Sequence, residues 1–297
     1  MSTPIQDTTI KILVLVQALL IGCSNLPSEG PASSLRGVPQ RIVSLAPAYT
    51  ETLIELGLAD RIVGVTPYSD YLAETKNIRK VGGYDQPSLE KIVSLKPDLV
   101  LLAGYVGQRS IGEALERLGI PVATFDLRAR GIEGVFEMVQ GLGELCKREE
   151  QAREILAQMQ RTIDEVKVWT KGLARPRVYV EVGYNPLFTC AKGSFIHELI
   201  AMSGGQNIAS DINKPYPRIS PEFVIERDPQ VIILPCMGRR YGKQSLLDRS
   251  GWQNISAVKA GRVYDDLGPQ IITIPSPNLI LNGLPELARR IHGKELW

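Results

Sequence analysis

The 297 residues carry 34 Lys and Arg against 32 Asp and Glu, a formal net charge of +2, with 44% hydrophobic and 22% charged residues. This balance offers no basic excess for nucleic acid and excludes a disordered or fibrous chain. The length suits two α/β domains of ordinary size, each with a sizeable core.

Residues 12–21 form a run that is apolar except for Gln17, follows Lys11 and ends at Leu20-Ile21-Gly22-Cys23. A ten-residue run is too short to span a bilayer. It fits a secretory hydrophobic region, and the Leu-x-Gly-Cys ending resembles the lipobox of bacterial lipoproteins. Residues 1–23 are therefore expected to be a signal peptide ending at a lipidated Cys23, with an uncleaved anchor as the rival reading. Either way the folded part is expected outside the cytoplasm, at the periplasm or the outer face of the cell membrane. Residues 24–40, rich in Pro, Ser and Gly without periodicity, read as a flexible tether.

Folding is expected to begin with a strand over residues 41–45, followed by a helix opened by Tyr49-Thr50-Glu51 and a second strand over 62–65. Strands over 99–103 and 122–125 and a helix through Ala114 and Leu115 complete an N-terminal α/β lobe, residues 41–142. Strands alternating with helices at this spacing argue for a mostly parallel sheet covered on both faces. Between Gly131 and Gly172 the strand signal disappears and apolar residues recur at helical spacing, among them Val135, Met138, Val139, Leu142, Ile155, Met159 and Val166. A charged stretch without Pro or Gly, residues 149–171, suits one long, partly exposed helix. The lobes are thus expected to be joined by a linking helix, residues 143–175. A C-terminal lobe, residues 176–297, starts with a strand over 177–182, carries a helix over 194–202 that stops at Gly204-Gly205, and closes with strands over 231–234 and 261–264 and a last helix over 279–291.

The two lobes share a repeated unit 132 residues apart, Ser88-Leu-Glu-Lys-Ile-Val-Ser-Leu-Lys-Pro-Asp-Leu-Val and Ser220-Pro-Glu-Phe-Val-Ile-Glu-Arg-Asp-Pro-Gln-Val-Ile. In each copy a serine N-cap opens a short helix, and a proline blocks helical continuation before a buried strand. Glu90 and Glu222 fall at the same place in the first turn. Two readings stay open: each glutamate is a partner of the helix dipole, or the two form a pseudo-symmetric pair of acidic knobs that a two-fold partner grips.

Ligands of open parallel sheets bind beyond the carboxyl ends of the strands. Those ends carry Tyr49, Tyr68, Tyr84 and Tyr105 in the first lobe, and Tyr184, Phe188, Tyr216 and Tyr241 in the second. That is a concentration, because aromatic residues make up only 6% of the chain. Flat amphipathic side chains at one edge of two sheets suit a cleft for a large planar or macrocyclic molecule. No G-x-S-x-G, H-E-x-x-H, P-loop or G-x-G-x-x-G occurs. His197 and His292 lie in apolar helices and read as structural. Once Cys23 is assigned to lipid, Cys146, Cys190 and Cys236 remain, without zinc spacing; a Cys190–Cys236 disulfide and buried free thiols are both open.

The stretches Ser44-Leu-Ala-Pro-Ala-Tyr-Thr-Glu51, Tyr68-Ser-Asp-Tyr71, residues 89–100, Asn185-Pro-Leu-Phe-Thr189, Gly204-Gly-Gln-Asn-Ile208, Tyr216-Pro-Arg-Ile-Ser220 and Ser276-Pro277 make the chain resemble the helical-backbone substrate-binding proteins that serve ABC importers of cobalamin, haem and ferric siderophores. It is most similar to the cobalamin-binding branch. The resemblance implies two similar lobes with a ligand cleft between them, no catalytic residues, no resident cofactor or metal, and a monomer that docks on a permease dimer. Glu90 and Glu222 match the glutamates that pair with permease arginines. Tyr68, Tyr84, Phe188 and Tyr216 match corrin-contacting aromatics, with tryptophan in that branch at the positions of Tyr84 and Tyr216. Just before Ser276-Pro277 the branch offers an Asp and an Arg to the ligand, whereas this chain reads Gln270-Ile-Ile-Thr-Ile274. The implied ligand is a corrinoid, cobalamin or cobinamide, with haem or a ferric siderophore as alternatives. The competing class is a chelatase-like enzyme, which shares the two-lobed architecture.

Overall fold

The computed structural model describes residues 37–83, 85–103, 106–125, 127, 130–235 and 242–296. The signal-peptide and tether expectations, Cys23 included, lie outside the described residues, as do Tyr84, Tyr105, Cys236 and Tyr241.

The first lobe is built on β1 (Ile42–Ser44), β2 (Ile62–Val65), β3 (Arg79–Lys80), β4 (Leu99–Leu102) and β5 (Val122–Thr124), with α1 (Pro47–Glu55), α2 (Leu89–Ser94) and α3 (Val106–Arg117) between strands. The sheet order is β3-β2-β1-β4-β5 and every pairing is parallel. The chain then passes through α4 (Gly131–Cys146) and α5 (Glu149–Thr170). The second lobe holds β6 (Arg177–Gly183), β7 (Phe188–Thr189), β8 (Gln206–Asn207), β9 (Val231–Ile233) and β10 (Val263–Tyr264). Its order is β10-β9-β6-β7, with β8 also on β6, and among the described strand pairs of this lobe only β6–β7 is antiparallel. Helices α6 (Phe195–Met202), α7 (Pro221–Arg227), α8 (Lys243–Leu247), α9 (Ser256–Lys259), α10 (Pro269–Ile272) and α11 (Leu284–His292) complete it. Sequence reading anticipates nothing of α8 and α9, which have five and four residues and no long apolar period.

The strands alternate between two cores because successive side chains point to opposite faces. In β4, Leu99 and Leu101 face one core while Val100 and Leu102 face another; in β9, Val231 and Ile233 separate from Ile232 in the same way. Each sheet thus has an outer core of its own. The inner faces of both sheets join a single cluster with Val135, Met138 and Val139 of α4, Ile155, Met159 and Val166 of α5, and Leu284, Leu287 and Ile291 of α11. The lobes therefore share one continuous apolar core. Fully burying each such side chain contributes about 1.5–3 kcal/mol, so the lobes are held against free separation.

The expected linking helix is present as α5 and packs against α4 as a helical hairpin. The boundary expected between residues 142 and 143 falls inside α4, whose apolar period continues to Cys146, and the break comes at Lys147 (φ 55). Left-handed backbone there lets the Arg148 amide reach the Gly143 carbonyl (2.7 Å), which closes the turn. The long helix is α5, 22 residues. At the other end of α4, Gly131 (φ +55) admits the Glu198 carboxylate of α6, which accepts from the Ile132 amide at 2.9 Å. A side chain at residue 131 would collide with that carboxylate.

Candidate functional site

A cavity of about 1140 Å³ lies between the lobes at the carboxyl ends of the parallel strands. It exceeds the usual range for drug-sized ligands, roughly 300–1,000 Å³. The first lobe contributes residues 46–48 from the β1–α1 turn, Tyr68, Tyr71, Asp85, Ala103 beyond β4, and Thr124, Phe125 and Leu127 at the end of β5. The second contributes Val182, residues 193–196 at the start of α6, residues 214–216, Pro235 beyond β9, and Gln270 with residues 273–275. Short strands followed within two residues by Ala or Pro, at Ala46, Ala103 and Pro235, bring backbone to the rim and leave room between the sheets. The walls are mainly aromatic and aliphatic, and Asp85 and Lys214 are the charged lining residues among the described ones.

Of the aromatics expected at the ligand, Tyr68 and Tyr216 line the cavity, and Tyr68 is 61% exposed. Tyr49 does not line it. Tyr49 sits in the first turn of α1 with its ring fully buried, donates to the Phe125 carbonyl (3.2 Å) and accepts from the Phe125 amide (3.1 Å). The rotation of α1 turns that position into the core, where the hydroxyl secures the strand end that carries Phe125. Phe188 is half-buried in β7 and packs against Gly183, outside the cavity lining. Glu90 and Glu222 are exposed in the first turns of α2 and α7 and are not part of the cavity. The Glu222 carboxyl is held below the usual range by its own backbone amide and by the Ser220 hydroxyl.

Sequence reading did not single out Tyr71, Phe125 or Phe195 as contacts. Phe125 immediately follows β5, so the strand-end rule could have found it; Phe195, directly after the Ser194 N-cap, carries no such signal. The stretch Gln270-Ile-Ile-Thr-Ile274 does reach the cavity, through Gln270, Thr273 and Ile274.

One buried acid stands beside the cavity. Glu51 of α1 is 5% exposed and accepts hydrogen bonds from Tyr71 Oη and from Ser276 Oγ. Burial pushes its carboxyl pKa up, against the opposing effect of those two hydroxyls, and neighbouring Glu55 adds to the rise. The Tyr71 phenol is raised in turn by burial and by Glu51.

The other polar clusters are structural. Arg249 donates to Glu181 at 2.6 and 2.8 Å and stacks on Tyr184 and Trp252 in the outer part of the second lobe. His197 lies against Asn207 (3.3 Å) and His292 against the Ser203 carbonyl (3.0 Å); burial lowers both pKa values, and neither ring lines the cavity. Cys146 and Cys190 are free buried thiols, their pKa values pushed up by burial to about 11 and about 12. Among the described residues no group of three or more His, Cys, Asp or Glu could hold a metal ion. Among the same residues no helix is long and apolar enough to cross a membrane.

The periplasmic binding protein family matches residues 42–268, from the first strand of one lobe to the last strand of the other. The chain belongs to that family. This substrate-binding protein is 31% identical over 307 residues to an uncharacterised ABC transporter substrate-binding lipoprotein, YvrC, of Bacillus subtilis (strain 168), covering 94% of this chain and 95% of that one. It is 37% identical over 195 residues to the vitamin B12-binding protein of Salmonella paratyphi A, covering 65% of this chain and 71% of that one. Among solved structures, the periplasmic heme-binding protein RhuT from Roseiflexus sp. RS-1, in apo form, superposes with a TM-score of 0.77 at 23% identity, over 86% of this chain and 99% of that one. At that identity the likeness speaks for the two-lobed fold. As a substrate-binding protein, the chain is the extracytoplasmic partner of an ABC importer.

Proposed function

We propose that the cleft captures a corrinoid, cobalamin or cobinamide, and that the protein hands it to the permease dimer without chemical change. The observation that carries this reading is the cavity itself: about 1140 Å³ between two lobes, faced with Tyr68, Tyr71, Phe125, Phe195 and Tyr216. Aromatic faces bury large flat area at little cost in side-chain entropy, and their polar edges serve the amides of a corrin rim. The 37% identity to a vitamin B12-binding protein supports the same ligand class. Gln270 and Thr273 offer neutral hydrogen-bonding groups at the stretch where the cobalamin-binding branch carries an Asp and an Arg.

The deciding experiment is calorimetric titration of protein lacking residues 1–23 with cyanocobalamin, cobinamide, haemin and a ferric siderophore side by side. Corrinoid binding is expected in the nanomolar to micromolar range, on the order of −8 to −12 kcal/mol. Tyr216→Ala and Phe195→Ala should each weaken it by roughly 1–3 kcal/mol. Saturable haemin binding without corrinoid heat would select the second reading, haem capture, which the Tyr68 phenol in the cavity favours as an axial oxygen donor. A metal-insertion assay addresses the enzyme class; turnover would displace the binding-protein reading, whereas neither histidine reaches the cavity.

The lipid anchor at Cys23 is part of the same proposal. Mass spectrometry of the protein from membranes should find a diacylated Cys23 as the first residue, and Cys23→Ala should release the protein from the membrane fraction.

A further inference from the structure

Glu51 lies at a junction that no ligand contact explains. Its carboxylate is buried between the lobes, and its two hydrogen-bond donors come from opposite sides: Tyr71 Oη from the first lobe and Ser276 Oγ from a segment 225 residues away. Tyr71 is 41% exposed, with its ring in the cavity lining. Ser276 is fully buried and directly follows residues 273–275, which line the facing wall. The Ser276 segment is itself ordered, since the Ser276 amide donates to Ile274 (2.9 Å) and the Leu279 amide donates to Ser276 (3.1 Å). On the other side, the β1–α1 turn is fixed by a chain of buried hydroxyls: Thr50 Oγ1 donates to Ser44 Oγ (2.8 Å) and Ser69 Oγ to Thr50 Oγ1 (3.2 Å). Burying a carboxylate costs several kcal/mol unless it is well hydrogen-bonded. An apolar residue would fill the space at less cost, so what the acid adds is a defined geometry between two walls.

We propose that Glu51 is a positioning residue of the ligand cleft, a pin that holds the Tyr71 ring of one lobe and the 273–275 wall of the other at a fixed separation before ligand arrives. The ligand then meets a preformed slot and does not have to order both walls itself, a cost that otherwise subtracts from affinity. This inference rests on the reading that the cavity is the ligand site.

The test is a mutant cycle on affinity for cyanocobalamin, or for whichever chelate of the panel binds. Tyr71→Phe and Ser276→Ala each remove one oxygen and leave the ring and the fold in place, as thermal unfolding will verify. Each should weaken binding several-fold, and Glu51→Ala roughly ten- to a hundredfold, the range for hydrogen bonds to a charged group. Adding Tyr71→Phe to Glu51→Ala should cause no further loss, because the hydroxyl acts only through the carboxylate. Glu51→Gln, whose amide can serve one hydroxyl with each end, should recover most of the affinity lost in Glu51→Ala. Affinity within about twofold of wild type in both Tyr71→Phe and Ser276→Ala would overturn the pin. So would an equal loss from Tyr71→Phe with and without Glu51, since the hydroxyl would then touch the ligand directly. If wild-type protein binds none of the chelates, the ligand reading fails and the pin is judged without ligand. Amide exchange at residues 276 and 279 should then quicken in Glu51→Ala and Ser276→Ala, and unchanged exchange in both would dismiss it.

Discussion

At the mouth of β1, Arg41 donates through Nε to the carbonyls of Leu95 (3.0 Å) and Lys96 (3.2 Å), and Asp98 accepts from the Arg41 amide (2.8 Å). At the mouth of β6, Arg177 donates through Nε to the carbonyls of Arg227 (3.1 Å) and Asp228 (2.9 Å), and Gln230 accepts from the Arg177 amide (3.0 Å). Ser88 and Ser220 cap the two short helices by accepting from the amide three residues on, each at 3.3 Å. Both helices end on a left-handed residue, Lys96 (φ 48) and Asp228 (φ 42). The frame that presents Glu90 and Glu222 is thus built twice from matching bonds. What differs is the bracing: Asp228 also accepts from the Ser256 amide (2.7 Å), the Ser256 hydroxyl (2.7 Å) and Arg177 Nη2 (3.0 Å), whereas Lys96 stops its helix with no carboxylate to offer. The comparison teaches that one hydrogen-bonded frame presents Glu90 and Glu222 in the same way in both lobes, while the bracing around it differs.

The largest effect should come from the knobs themselves. If each glutamate meets an arginine on one half of the permease, Glu90→Gln with Glu222→Gln should weaken transporter binding at low salt by roughly tenfold or more, and the two single changes should be similar. Affinity for the ligand should not move, because neither residue lines the cavity. Wild-type transporter affinity in the double variant would reduce the repeat to a relic of lobe duplication.

Breaking the bracing comes next. Asp228→Ala should cost about 1–2 kcal/mol in chemical denaturation, a figure discounted for the partial exposure of the Asp228–Arg177 pair. Lys96→Gly at the matching position should go the other way, raising stability by about 1 kcal/mol, since glycine adopts left-handed backbone without the strain on a Cβ. A loss of stability on Lys96→Gly would show that the lysine does more than end the helix.

The smallest effect is the acid limb of the stability curve. Hydrogen bonds from the Ser256 amide and hydroxyl, helped by Arg177, hold the Asp228 carboxyl below its ordinary 3.8. A depressed carboxyl contributes stability that is present above the unfolded value and is lost as pH falls through the lower native value. The stability gap between wild type and Asp228→Asn should therefore be level above about pH 5 and close progressively below it. The matching change at Lys96 should leave the acid limb as it is.

Much of the architecture was legible before folding, because local patterns carry it. Apolar runs in residues 99–102 and 231–233, serine caps at Ser88 and Ser220, and the helical period through α4 and α5 depend on neighbours a few residues away. The two-lobed α/β layout and the repeated unit follow from those patterns, as does the placement of Tyr68 and Tyr216 beyond strand ends. The long helix over 149–171 was legible from its charged run without Pro or Gly, but the lobe boundary fell a few residues early, because neither Lys147 nor Arg148 carries a Gly or Pro signal and Gly143 does not end the helix. The facing of each loop aromatic was decided only by tertiary packing. Tyr49 and Tyr68 both follow a strand within a few residues, yet the turn of α1 buries one ring against Phe125 and leaves the other in the cleft. The bond from Ser276 to Glu51 spans 225 residues, so no local pattern encodes it. It exists because both inner sheet faces pack on the same helices, and that shared core fixes which residues of the two lobes meet across the cavity.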